Sequence, residues 1–124
     1  MPLHCETLVV HCIDFRLQVF LNKWLESNLP AHSYDRVAIA GGVNDIFYVI
    51  GQVDVAARLH SVEKVILINH EDCGAYGKAG NYERHKADLE EAERKIEALF
   101  PNLDVETYYL HLDGEFEEMS KTNS

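Results

Sequence analysis

Two short segments carry a set of side chains suited to metal and acid–base chemistry. The first is Cys12-Ile13-Asp14-Phe15-Arg16 and the second is His70-Glu71-Asp72-Cys73-Gly74. Cys12, His70 and Cys73 supply two thiolates and one imidazole, a donor set suited to zinc, and three protein ligands leave a fourth position for water or substrate. In His-x-x-Cys both side chains can reach one ion from a single turn, and Gly74 is expected to let that turn bend without a Cβ clash. Asp14 can either close the fourth position or accept a proton from water held there. The Arg16 guanidinium, which grips carboxylates bidentately, can choose between those outcomes. Cys12, Asp14 and Arg16 alternate by two, but where a strand turns into a helix that spacing alone does not fix a shared face.

The segments lie 58 residues apart, from Cys12 to His70, so the fold must bring them together. Thr7–His11 (TLVVH) is a short β-branched run that reads as a buried strand. Over 15–29 the apolar residues Leu17, Phe20, Leu21, Trp24 and Leu25 fall at helical spacing, and Pro30 closes that helix. A second strand over 36–40 is broken by Gly41-Gly42, after which Asn44 is placed as the cap of a helix to about Leu59. The run KVILIN over 64–69 is apolar without interruption, the pattern of a strand covered on both faces. A glycine-bearing loop over 73–80 leads to a polar helix from Tyr82 to Phe100, and 104–111 is the last strand.

Strands alternating with helices predict an α/β fold with three α/β/α layers. The central sheet is expected to be mainly parallel, with about four strands in the order 2-1-3-4. In such a sheet ligands bind beyond the carboxyl ends of the strands where the order reverses, here just after His11 and just after Asn69. Residues 1–112 are read as one domain and 113–124 as an acidic, flexible tail.

At 124 residues the chain is the size of a single domain. Its 11 basic and 21 acidic residues give a net charge of −10, which disfavours nucleic acid and anionic lipid as partners. No apolar run reaches the roughly 20 residues of a membrane span, and the N-terminus lacks the pattern of a signal peptide. With three cysteines, an odd number, a disulfide framework is not expected, and the chain reads as cytoplasmic. Cys5 has no partner at a useful spacing and reads as structural; His4, His32, His60 and His85 read as exposed or capping.

Cys-x-Asp-x-Arg after the first strand and His-x-x-Cys-Gly after the third resemble the β-class carbonic anhydrases. The resemblance implies one zinc ion per chain on Cys12, His70 and Cys73, with Asp14 and Arg16 as a catalytic dyad. It implies reversible hydration of carbon dioxide to bicarbonate by a zinc-bound hydroxide, and a homodimer or higher homo-oligomer. Phe15, Gly41, Gly42 and Gly74 are assigned to the substrate pocket. Phe15 stands where the family usually has a small residue, and with Ala38-Ile39-Ala40 it suggests a drier pocket. Two alternatives follow: hydrolysis of carbonyl sulfide or carbon disulfide, and a zinc-binding homologue without turnover. His11-Cys12 followed by an arginine also suggests the cysteine phosphatases, but three residues intervene where five are needed to encircle a phosphate. Asp14 would moreover place a negative charge in that cradle.

Overall fold

The run at Lys64–His70 forms β3, the middle strand of the sheet, and its apolar residues divide between two faces. Val65 and Leu67 enter one core with Leu8 and Val10. Ile66 and Ile68 enter the opposite core with Val9. This is the period-two alternation of a strand covered on both sides. The structure is a computed structural model that describes residues 3–120.

Along the chain come β1 (Thr7–His11), α1 (Gln18–Asn28), β2 (Tyr34–Ala38), α2 (Ile46–His60), β3 (Lys64–His70), α3 (Tyr82–Leu99), β4 (Asp104–Leu110) and β5 (Phe116–Glu118). The sheet order is β2-β1-β3-β4-β5. The first four strands are parallel, as expected, and β5 adds an antiparallel edge. Leu17, Leu21 and Leu25 place α1 on the Val9 face. Val49, Val53 and Ala56 of α2 and Leu89, Ala92 and Ile96 of α3 cover the other face. Each fully buried leucine or isoleucine contributes about 1.5–3 kcal/mol relative to exposure.

Three local expectations are corrected. The second strand is Tyr34–Ala38 rather than 36–40; it is the sheet edge, so it accommodates half-buried polar residues, and it ends where Gly41 (φ +84) and Gly42 (φ +56) turn left-handed. The α2 cap is Asp45, whose carboxylate accepts the Tyr48 N–H at 3.2 Å, one residue past Asn44. The tail expected from Asp113 instead turns at Gly114 and returns as β5, giving five strands rather than four. Phe116 holds it there by stacking on Trp24 with ring centroids 4.9 Å apart, and the Tyr82 hydroxyl donates to Glu117. Residues 121–124 of that tail lie outside the described residues.

Candidate metal centre

β1 and β3 pair as far as Val10 and Leu67; beyond this register β3 continues to His70 beside β4 alone. The divergence opens the crevice that the strand order predicts. Cys12 enters it from the end of β1, His70 from the end of β3, and Cys73 from the following turn, and all three are buried. One donor atom from each lies within 4.8 Å of the other two. The two sulfurs are 4.0 Å apart and both thiols are free. Two ligands of a tetrahedral zinc with Zn–S of about 2.3 Å would lie roughly 3.8 Å apart.

Backbone contacts aim these donors. His70 donates from Nδ1 to the Glu71 carbonyl at 2.7 Å, the tautomer that leaves a lone pair on Nε2. That buried Nε2 has no hydrogen-bond partner among the described residues. The Gly41 N–H donates to Cys12 Sγ at 3.3 Å. Burial opposes a Cys12 thiolate, but the His70 ring and the Gly41 N–H outweigh it and hold this thiol low. Burial and the neighbouring Cys12 push the Cys73 thiol up. A divalent cation resolves the conflict by supplying charge for both sulfurs. An unpartnered imidazole nitrogen and two facing thiols therefore fit a zinc ion.

Asp14 and Arg16 stand at the rim. Arg16 donates from Nε to Asp14 Oδ1 at 3.1 Å and from Nη2 to Oδ2 at 2.7 Å. These hydrogen bonds hold the Asp14 carboxyl down at about 2. Asp14 Oδ2 lies 3.9 Å from His70 Nε2. It is near the His70 donor yet outside the set that lies mutually within 4.8 Å.

The glycines divide. A Cβ on Gly42 would lie 2.4 Å from Asn69 Oδ1 and 3.2 Å from the Ile68 carbonyl, so this backbone packs against the end of β3 only as glycine. A Cβ on Gly74 would meet nothing within 4 Å. The bend expected there is made by Asp72, at φ +58. Phe15 is 85% exposed, so within one chain it dries no pocket.

Asp72, Gln18, Asn69 and the buried His85 escaped the sequence reading, whereas Tyr76 and His11 were expected beside the site. Asp72 gives Arg16 a second anchor: its carboxylate accepts from Nη1 at 3.0 Å and its carbonyl from Nη2 at 2.9 Å. Gln18 Nε2 donates to the Asp14 carbonyl at 2.7 Å and pins the loop after Cys12. His85, expected to be exposed or capping, is buried. Asn69 donates to its Nδ1 at 2.9 Å and to the Tyr76 hydroxyl at 2.9 Å, and Tyr76 donates to Asp88. Tyr76 itself packs on Cys12 and Cys73. His11 has both ring nitrogens engaged, Nδ1 by the Cys12 carbonyl and Nε2 by Arg36 Nε–H at 2.7 Å.

Residues 3–120 match the model of a family described as "Putative carbonic anhydrase". The fold also matches one of the tetrameric β-carbonic anhydrases of Sordaria macrospora at a TM-score of 0.55 and 15% identity, over 100% of this chain and 84% of that one. The chain belongs to this putative carbonic anhydrase family. Another member of this fold, a carbonic anhydrase from Streptococcus mutans, superposes at a TM-score of 0.65 with 22% identity, over 97% of this chain and 86% of that one. The apo form of a carbon disulfide hydrolase superposes at 0.60 with 13% identity, over 98% and 82% of the two chains. Among sequence relatives, an uncharacterized protein of Rickettsia bellii is 29% identical over 92% of this chain and 81% of its own. This putative carbonic anhydrase has no helix, among its described residues, long and apolar enough to cross a membrane.

Proposed function

We propose that the chain catalyses zinc-dependent, reversible hydration of carbon dioxide to bicarbonate. The observation that carries this reading is the convergence of Cys12, His70 and Cys73 beside the Asp14–Arg16 pair. Cys12 and Cys73 would bind zinc as thiolates and His70 through its unpartnered Nε2. Zinc held there supplies a Lewis acid that makes an attacking water reactive near neutral pH.

The chain's own groups do the rest. Asp14, ionised throughout the working range, accepts a hydrogen bond from the attacking water and orients its lone pair. Arg16 keeps that carboxylate in place. The Gly41 N–H draws charge from the Cys12 sulfur, which leaves the metal more electrophilic. Two thiolates nonetheless donate more charge than imidazoles, so activity is expected to rise toward mildly alkaline pH.

We assign a homo-oligomer to the working enzyme. Ile13, Phe15, Val19 and Phe47 are 59%, 85%, 64% and 81% exposed, and they sit near the carboxyl edge of the sheet where a second subunit would cover them. The fold is shared with tetrameric enzymes.

The fold is also shared with a carbon disulfide hydrolase, so the substrate is tested in parallel. Zinc-loaded protein should turn over carbon dioxide faster than carbonyl sulfide or carbon disulfide. Turnover of a sulfur substrate alone would replace the proposal with the hydrolase reading.

A further inference from the structure

At the opposite edge of the sheet a second set of metal-ligand side chains converges, with no part in the reaction proposed above. Cys5 lies just before β1, Asp35 on β2 pairs with Leu8 of β1, and His60 is the last residue of α2. One donor atom from each lies within 4.8 Å of the other two. The backbone holds them in register: the Cys5 N–H donates to the His60 carbonyl at 3.0 Å, and Ser61, left-handed at φ +53, ends the helix there. His60 Nδ1 and Asp35 Oδ2 are 2.6 Å apart. The three line an open cleft of about 230 Å³ together with His4 and His32, so further imidazoles are at hand.

Thiolate, imidazole and carboxylate together suit zinc better than the hard cations magnesium or calcium, which take oxygen ligands. The site also sits at the carboxyl end of the 15-residue helix α2, where the helix dipole favours a cation. A nucleophilic cysteine is the competing reading of the same residues. It fails because burial and the Asp35 carboxylate raise the Cys5 thiol rather than activate it. From Cys5 to Cys12 the extended chain covers roughly 20 Å, so the two clusters cannot share an ion.

We propose that Cys5, Asp35 and His60 form a second zinc site, remote from the Cys12–His70–Cys73 centre and structural in role. Binding would deprotonate the Cys5 thiol, release that proton to solvent and tie the chain before β1 to β2 and the end of α2.

The test is zinc content after equilibration with zinc chloride and desalting. Wild type is expected to hold two zinc ions per chain, Cys5→Ser and His60→Ala one each, with carbon dioxide hydration unchanged in both variants. One zinc per chain in wild type, unaltered by Cys5→Ser, would overturn the site. A Cys12→Ser/Cys73→Ser double variant isolates it, because Cys5 is then the only thiol. Zinc should slow alkylation of that thiol, and adding His60→Ala should abolish the protection; equal alkylation with and without zinc would also overturn it. A wild type that holds a single zinc, lost in His60→Ala but kept in the double variant, would support this site while sinking the catalytic assignment.

Discussion

Arg16 spans the crevice to Asp72, 56 residues away in the chain, with one guanidinium nitrogen on the carboxylate at 3.0 Å and another on the carbonyl at 2.9 Å. The same side chain grips both oxygens of Asp14. It therefore ties the loop carrying Cys12 to the turn carrying Cys73, and the orientation of Asp14 depends on both.

Asp72→Ala should loosen this clamp without touching a proposed zinc ligand. Both side chains reach solvent, so loss of the ion pair itself is expected to cost under about 1 kcal/mol, with alanine at the left-handed φ of +58 adding to that. A tilt of Asp14 costing a similar amount in the transition state would lower kcat roughly fivefold. The zinc content of the centre should stay the same. Denaturant melts, metal analysis and stopped-flow kinetics on one preparation check all three.

The two glycines near the centre should behave oppositely. Gly42→Ala forces a side chain into Asn69 at a left-handed φ and breaks the seat on which the Val43 N–H meets Asn69 Oδ1 at 3.1 Å. A loss of about 2–4 kcal/mol is expected. Gly74→Ala enters open space and should stay within about 0.5 kcal/mol of wild type. Urea midpoints for the pair compare them directly.

His85 should make stability fall on acidification. Burial and the nearby His70 lower its pKa from 6.5 to about 4, and Asn69 already donates to its Nδ1, so a proton there has no acceptor. Between those values the unfolded chain binds the proton and the folded chain does not. Its contribution is thus complete above about pH 6.5 and declines as pH falls toward about 4. His85→Gln keeps an acceptor without a titrating group, so its urea midpoint should depend less steeply on pH across this window. An unchanged slope would exclude His85 as the cause.

Phe15→Asp should weaken the proposed assembly. The ring is exposed at the rim, so folding of one subunit is expected to change by less than about 0.5 kcal/mol. Sedimentation velocity should show a shift to smaller species. Unchanged sedimentation would place the subunit interface elsewhere.

The sequence disclosed what depends on local chemistry. The apolar run in Lys64–His70 marked a strand covered on both faces, and the two motifs fell at strand ends that the predicted order made neighbours. What stayed hidden was mostly long-range. Neither Asp72 nor its left-handed backbone carries a signature in His-Glu-Asp-Cys, because its partner Arg16 arrives from another strand. β5 is three residues long and exists through Phe116 stacking on Trp24. His85 was legible in principle: with Leu89, Ala92 and Ile96 it follows the helical repeat of the buried face, but a polar residue type masked the pattern.

Carbon dioxide hydration followed by stopped flow near pH 8.5, on zinc-loaded wild type and Asp14→Asn, addresses the proposed chemistry most directly. Wild type should turn over, and Asp14→Asn should lose about 100-fold or more in kcat while Cys12, His70 and Cys73 keep their zinc. Zinc bound at that centre without turnover in wild type, or full activity in Asp14→Asn, would contradict it.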